Sequence, residues 1–133
     1  MNSSVKEAKR TLINNRRLSY TLPTNTKLYP AQWNWDSAFI ALGYSNFNLD
    51  YSFKELETLI SGQWDDGMIP HILFHIKDLN YTPNYKAWKC GKKVSSSGIT
   101  QPPILTSILR IIFERQKFSK KEIKKISAFN FKD

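Results

Sequence analysis

Residues 29–39 read Tyr29-Pro30-Ala31-Gln32-Trp33-Asn34-Trp35-Asp36-Ser37-Ala38-Phe39. The second half of this stretch opens a segment that stays apolar as far as Tyr44. Asn34 or Asp36 suits the N-cap position, because a short polar side chain there accepts a hydrogen bond from a free N–H group of the first turn. The pattern predicts a helix over 37–44 that is buried on nearly every side.

Two more helices are predicted on either side of this one. Residues 4–17 form a polar pattern that Ser3 or Ser4 opens, with Glu7 as a capping-box partner. Residues 51–60 carry one apolar stripe and follow a possible cap at Asn48 or Asp50. Gly62 lies where a helix commonly ends in the left-handed conformation.

The second half of the chain begins with an irregular segment. Residues 77–98 lack periodicity, and a loop of that length in a compact domain is usually functional. A fourth helix is predicted from Pro102-Pro103, since proline is tolerated in a first turn, and a fifth from Lys120 after Ser119. The predicted fold class is therefore all-α.

Two of these helices, 37–44 and the one from Pro102, are predicted to be buried on most sides. A five-helix domain has too little outer layer to cover both of them. We therefore expect the chain to be a piece of something larger.

Charge is unevenly distributed along the 133 residues, whose formal net charge is +9. Residues 1–28 carry +5, residues 29–85 carry −5 and residues 86–133 carry +9. The acidic middle also holds three of the four tryptophans. Nucleic-acid-binding surfaces place aromatic residues among Lys and Arg, so this separation argues against a nucleic-acid partner. The lysines of the last third are expected to form a solvated helix face.

Cysteine content and hydropathy exclude several other classes. Cys90 is the only cysteine, so no disulfide framework and no Cys-rich zinc site can form within the chain. No apolar run is long enough for a membrane span, and residues 1–10 lack the apolar stretch of a secretory signal. We expect a soluble cytoplasmic protein with no membrane partner.

His71 and His75 are four residues apart, the spacing that would bring two imidazoles together on a helix. Pro70 and the apolar run after His71 instead favour an extended or irregular segment, and no third ligand is evident. We expect neither a metal nor another cofactor.

Polar and aromatic residues recur where the predicted helices begin and end. A carbohydrate site needs this mixture, because aromatic faces cover the C–H side of a sugar ring while carboxylate, amide or imidazole groups bond its hydroxyls. For any single residue the alternative to carbohydrate binding is a structural role: the tryptophans would pack in the core, and Asp36 would cap a helix. The group consists of Tyr29, Trp33, Trp35, Asp36, Gln63, Trp64, Asp66, His71, Tyr81, Trp88 and Gln101.

Three segments, 29–39, 62–72 (Gly62-Gln63-Trp64-Asp65-Asp66-Gly67-Met68-Ile69-Pro70-His71-Ile72) and 97–103 (Ser97-Gly98-Ile99-Thr100-Gln101-Pro102-Pro103), closely resemble the start of a known catalytic domain. It is the (α/α)6 barrel of mannosylglycerate and glucosylglycerate hydrolases, related to glycoside hydrolase family 63. The resemblance implies an incomplete (α/α)6 toroid, with residues 1–133 as the N-terminal portion of one barrel domain that is truncated on its C-terminal side. Twelve helices with their loops need roughly 200 residues or more.

The resemblance also implies roles for seven residues. Trp35 and Asp36 would line the sugar subsite, flanked by His71 and Tyr81. Tyr29, Trp33 and Gln101 would lie nearer the acidic aglycone, such as glycerate.

The family is expected to hydrolyse an α-glycosidic bond with inversion, using two carboxyl groups. Both catalytic carboxylates of the family lie beyond the matched region, so no catalytic residue is assigned here and the chain alone is expected to be inactive. Its expected ligand is a small carbohydrate, and the missing barrel helices or self-association would cover the remaining apolar surface. The alternatives are a stand-alone carbohydrate-binding or pseudoenzyme module and a basic nucleic-acid-binding helical protein.

Overall fold

The computed structural model describes residues 2–24, 27–77, 80–116 and 118. In this part of the chain the fold is mostly helical, with one small two-stranded sheet. The elements in chain order are α1 (Ser3–Asn15), β1 (Gln32–Trp33), α2 (Asn34–Ser45), α3 (Leu49–Ile60), β2 (Ile72–Leu73), α4 (Tyr85–Trp88) and α5 (Leu105–Arg115). The fifth helix predicted from Lys120 lies outside the described residues.

Helix α1 lies on the surface and contributes no buried residue. The predicted serine cap is wrong, because the Asn2 side chain accepts the hydrogen bond from the Ser4 N–H at 3.2 Å. The helix meets the rest of the molecule through Leu12, whose carbonyl accepts a hydrogen bond from the Tyr44 hydroxyl at 2.8 Å.

Strand β1 leads directly into α2, so the helix begins three residues earlier than predicted. Trp33 occupies the N-cap position without a side-chain capping bond, and the predicted cap at Asn34 or Asp36 is wrong. Asp36 lies in the first turn instead. Burial on nearly every side is also wrong, because the Phe39 side chain is 56% exposed.

Helix α3 begins after Asn48, whose side chain accepts a hydrogen bond from the Tyr51 N–H at 2.9 Å, which confirms one of the two predicted caps. Gly62 does not adopt the left-handed conformation predicted for it. Glycine is needed there for space, because a Cβ atom at position 62 would collide with the side chain of Leu73.

The sheet corrects the all-α prediction. Strands β1 and β2 pair antiparallel, with Gln32 opposite Leu73 and Trp33 opposite Ile72. Residues 95–97 run along the other edge of β2, where the Phe74 N–H donates to the Ser95 carbonyl at 2.8 Å. These short strands bring distant parts of the chain together at the entrance of α2.

The loop predicted over 77–98 contains the single-turn helix α4, which Asn84 caps by accepting from the Lys86 N–H. Helix α5 begins at Leu105 and not at the Pro102-Pro103 pair, which precedes the helix. One face of α5 is buried, and Phe113 on another face is 37% exposed, so its burial is also less complete than predicted.

Two apolar clusters hold these elements. The main one joins α2, α3, β2 and α5 and contains Ala38, Ala41, Leu56, Leu59, Leu73, Leu105, Ile108 and Ile112. The smaller one surrounds β1 and contains Ala31, Trp33, Ile72 and Phe74, with Tyr81, Tyr85 and Trp88 packed against it. Among the described residues, no helix combines the length and apolar character needed to cross a bilayer.

Candidate functional site

Backbone hydrogen bonds join the three sequence segments singled out above. The N–H of Asn34 donates to the carbonyl of His71 at 3.0 Å, and the N–H of His71 donates to the carbonyl of Ile99 at 2.8 Å. Segments 29–39, 62–72 and 97–103 therefore meet at the N-terminal end of α2.

Trp35 and Gln101 are in direct contact although 66 residues separate them. The Gln101 Oε1 atom accepts a hydrogen bond from the Trp35 N–H at 2.9 Å, which satisfies one free donor of the first turn of α2. The Trp35 indole Nε1–H donates to the Pro102 carbonyl at 2.8 Å. The first bond holds the backbone of Trp35 and the second holds its ring, while the residue stays 39% exposed.

Asp36 is half-buried in the first turn of α2. Burial raises the pKa of its carboxyl, and a hydrogen bond from its own backbone N–H opposes that rise. Among the described residues, no other side chain donates to this carboxylate. Asp36 therefore keeps acceptor capacity for a bound molecule beside the exposed indole of Trp35.

Three aromatic rings form a cluster next to this end of the helix. Trp33 meets Tyr29 edge-on, with ring centroids 5.0 Å apart, and meets Tyr81 edge-on at 5.4 Å. Trp33 is only 6% exposed, so it belongs largely to the small core, whereas Tyr29 is 43% exposed. The cluster brings together three of the predicted residues.

His71 is half-buried, and its ring lies edge-on to Trp88 with centroids 5.9 Å apart. Burial lowers the pKa of the imidazole, which favours its neutral form. Its Nδ1 atom is buried and has no hydrogen-bond partner in the described part of the chain. A neutral imidazole can donate from one nitrogen and accept at the other, which suits a sugar hydroxyl.

The structure places three other residues of the predicted group away from this end of α2. Gln63, Trp64 and Asp66 line a different cavity of about 520 Å³, whose opposite wall is residues 89–94. The Trp64 indole Nε1–H donates to the hydroxyl of Ser96, two residues beyond this wall, at 3.1 Å. None of the seven residues assigned to substrate binding lines this cavity.

The described residues include no group of three His, Cys, Asp or Glu side chains that could hold a metal ion. His75 bonds to Gln32, with 2.7 Å between its Nε2 atom and Gln32 Oε1. The two histidines lie at bends on either side of β2, which agrees with the extended or irregular segment predicted for them.

A family model described as the mannosylglycerate hydrolase MGH1-like glycoside hydrolase domain matches residues 29–127, most of the chain. The chain belongs to this family. Mannosylglycerate hydrolase MGH2 of Selaginella moellendorffii is 39% identical over 115 residues, which cover 86% of this chain and 23% of that protein. A mannosylglycerate hydrolase of Thermus thermophilus is 41% identical over 104 residues, covering 76% of this chain and 25% of that protein.

The fold agrees with that of a family member of known structure. The crystal structure of a GH63 mannosylglycerate hydrolase from Thermus thermophilus, in complex with Tris and D-glycerate, superposes with a TM-score of 0.82 at 37% identity. The superposition covers 92% of this chain and 29% of that chain. This chain thus spans about a quarter of the length of the family members it matches.

Sequence reasoning missed one buried carboxyl close to these residues. Glu55 of α3 is fully buried and contacts Gln32 and Ser37, which lie on either side of the segment 33–36. Its position three residues after Ser52 and one before Leu56 puts it on the buried face of the helix. A glutamate on the apolar face of an amphipathic helix was the available signal.

Proposed function

We propose that residues 1–133 are the N-terminal portion of one (α/α)6-barrel domain of a glycoside hydrolase, and that they supply part of its sugar pocket. The substrate would be a small α-glycoside such as mannosylglycerate or glucosylglycerate. The observation that carries this proposal is the contact of Gln101 with Trp35, which assembles polar and aromatic residues from distant segments at one helix end.

The sugar subsite would consist of Trp35, Asp36, His71 and Tyr81. The exposed ring of Trp35 offers a stacking face, and the carboxylate of Asp36 offers acceptors for hydroxyl groups. The neutral imidazole of His71 would complete the hydrogen bonds.

The acidic aglycone would lie nearer Tyr29, Trp33 and Gln101. Because Gln101 Oε1 accepts from the Trp35 backbone, its Nε2 group is left with two donors, and a carboxylate needs donors. Trp33 would take part mainly by holding Tyr29 and Tyr81 in place, since its own ring is largely covered.

Hydrolysis with inversion needs a general acid and a general base roughly 6.5–9.5 Å apart, with water between base and sugar. Neither role is assigned to Asp36, which would only bind the sugar. We propose that both catalytic carboxyls belong to the remainder of the barrel and that this chain alone does not hydrolyse glycosides.

The first experiment measures binding. The chain is titrated with D-glycerate and with glucose or mannose while its backbone amide resonances are followed. Saturable shifts at the N-terminal end of α2 are expected, and Asp36→Asn should weaken the binding of the sugar. Asp50→Asn is the matched control, because Asp50 occupies the first turn of α3 as Asp36 occupies that of α2.

The second experiment measures hydrolysis. Purified chain is incubated with mannosylglycerate or glucosylglycerate, and released glycerate is quantified. We expect no release above the Asp36→Ala variant. Release that the substitution removes would show that the chain is itself a hydrolase and would refute its proposed inactivity.

A second candidate function is a stand-alone carbohydrate-binding or pseudoenzyme module. It is favoured by the main apolar cluster, which the described residues form without another chain. A cooperative thermal transition that sugar shifts upward would support this candidate. A transition that appears only after the rest of a barrel is supplied in trans would support the first proposal.

A further inference from the structure

Glu55 is a buried carboxyl with an unusual set of partners. It lies in the middle of α3 and is 0% exposed. Its Oε1 atom accepts from the Ser37 hydroxyl at 2.6 Å and from the Gln32 amide Nε2 at 3.0 Å. One oxygen atom thus holds two residues that come from a different part of the chain.

These two donors stand at the two ends of the segment 33–36. Gln32 is the first residue of β1, and Ser37 lies in the first part of α2. Between them are Trp33, Trp35 and Asp36, which we place in the pocket. The Gln32 Nε2 group also donates to the Glu55 backbone carbonyl at 3.1 Å, so the strand is tied to α3 twice.

The hydrogen bonds of Glu55 continue through Gln32 of β1 to His75, which follows β2. Because the Gln32 amide nitrogen donates to Glu55, its Oε1 atom is the acceptor for His75, and the His75 Nε2 atom must carry the proton. The ring of His75 packs on Tyr20, with centroids 4.3 Å apart. His75 follows β2 and is four residues from His71.

We propose that Glu55 is a positioning residue, which sets the orientation of the segment 33–36 through its hydrogen bonds to Gln32 and Ser37. Its contribution to sugar binding rests on the function proposed above. Its effect on the geometry of the segment does not depend on that function.

Simple stabilisation is a poor explanation for a carboxyl at this position. Burying one costs free energy unless every polar atom is satisfied, and the Oε2 atom of Glu55 has no partner at hydrogen-bond distance among the described residues, although the Thr21 hydroxyl is near enough to lower the pKa of the carboxyl. The neighbouring positions Leu56 and Leu59 fill the same interface with apolar side chains. A leucine would have stabilised α3, but it could not hold Gln32 and Ser37.

The test uses the full chain labelled with 5-fluorotryptophan. Its four tryptophans give four fluorine resonances, which single Trp→Phe variants assign. Glu55→Ala is expected to shift the resonances of Trp33 and Trp35 and to leave that of Trp64, which lines the separate cavity, in place. Glu55→Gln keeps an acceptor for both donors and should restore the native positions.

Ser52→Ala is the matched control. Ser52 is also fully buried on α3 and also bonds to α2, through the Ala41 carbonyl at 2.7 Å, but it does not contact the segment 33–36. Its removal should leave Trp33 and Trp35 unchanged. If Ser52→Ala shifts them as much as Glu55→Ala does, Glu55 only supports the helix interface and the proposal is wrong.

Ser37→Ala covers the case in which Glu55→Ala does not fold. It removes the hydrogen bond between Ser37 and Glu55 but keeps those between Gln32 and Glu55, so it should move the Trp35 resonance more than that of Trp33. Unchanged resonances in this folded variant would overturn the proposal.

Binding is measured separately with glucose and D-glycerate as probes. Glu55→Ala or Ser37→Ala should weaken it about tenfold, the effect of losing roughly one hydrogen bond. Shifted fluorine resonances in a chain that binds neither probe would leave the positioning role standing and reject only the sugar site.

Discussion

At the scale of single residues, Gly62 shows how close packing can require glycine in an ordinary backbone conformation. The residue follows α3, is buried, and lies against Leu73 of β2. A side chain of any size at position 62 would occupy the space of the leucine. This contact sets how closely the end of α3 approaches the sheet.

We expect Gly62→Ala to destabilise the chain by about 1–3 kcal/mol, the usual cost of overpacking a core. Leu73→Ala removes the colliding atoms at a cost of about 2–5 kcal/mol by itself. The double variant should lose less free energy of unfolding than the two single variants do together, because the new methyl group fills part of the cavity. Chemical denaturation of the four proteins measures this coupling, and strict additivity would disprove the contact.

Asp36 gives a prediction about pH. Its pKa is raised, mainly by burial, so the carboxyl takes up a proton at a higher pH than an exposed aspartate does. Protonation removes an acceptor for sugar hydroxyls, and glucose or mannose affinity should therefore fall as the pH drops through that raised pKa. In Asp36→Asn the remaining affinity should not vary over this range, and the same pH dependence in that variant would assign the titration to another group.

At the scale of elements, α3 and the chain after β2 carry two groups whose pKa values move in opposite directions. Burial raises the pKa of Glu55 from 4.5 to about 7, an effect that hydrogen bonds and the nearby Arg16 partly offset. Burial lowers the pKa of His75 from 6.5 to about 4. Between about pH 4.5 and 6.5 the folded chain holds a proton on Glu55, whereas the unfolded chain holds it on His75.

The pH dependence of stability follows from this exchange. The two groups together bind equal numbers of protons in both states, so they contribute no net slope between about pH 4.5 and 6.5. Glu55→Gln leaves His75 alone, and the free energy of unfolding of that variant should rise by about 3 kcal/mol from about pH 4 to about pH 6.5. Denaturation curves at several pH values test the difference in slope between the variant and the native chain.

His75→Gln is the reciprocal variant. It leaves Glu55 alone, whose raised pKa makes the folded state bind more protons, so stability should fall as the pH rises from 4.5 to about 7. Tyr20, Tyr44 and Arg16 also neighbour Glu55 and are common to all three proteins. Identical slopes in the two variants would contradict the opposed shifts.

Element types were easier to predict than element ends. The stripe of α3 and its Asn48 cap follow from local sequence, and both are present. The start of α2 does not follow from local sequence, because Trp33 can end a strand and occupy the N-cap position only when β2 lies beside it. Two-residue strands leave no periodic signal in a sequence, so the sheet depends on contacts between distant segments.

At the scale of the whole molecule, the grouping of the candidate site was partly predictable. Tyr29, Trp33 and Tyr81 form one cluster and Trp35 contacts Gln101, whereas the division of these residues between a sugar and an aglycone subsite stays a prediction. The burial of Trp33 agrees with the alternative of core packing, but its neighbours could not be predicted, since they come from β2 and the loop that follows. The burial of Glu55 could have been predicted from its place on the apolar face of α3, but its partners could not, because they lie on other elements.

The molecule also exposes apolar surface on helices α2 and α5. Phe39 of α2 and Phe113 of α5 are exposed aromatic residues on helices that the sequence predicted to be covered on most sides. We expect Phe39→Gln to lower concentration-dependent association in sedimentation experiments without reducing thermal stability, since little burial is lost.

Phe53→Gln is the matched control for that substitution. Phe53 is 8% exposed, so the same change there should reduce stability by about 3 kcal/mol or more. If Phe39→Gln is equally destabilising, its side chain is buried in the protein in solution.

Helix α1 has a consequence for the order in which the molecule opens. It contributes no fully buried residue, and it is held by the Tyr44 hydroxyl on the Leu12 carbonyl, by the Leu22 N–H on the Asn15 carbonyl and by the Lys9 ammonium over the Phe47 ring. Its amide hydrogens should therefore exchange with solvent deuterium long before those of α2 and α3, because its release exposes little apolar area. A brief protease treatment should likewise cut between α1 and β1 first. The chain can lose its first helix while the end of α2 that carries Trp35 and Asp36 keeps its shape.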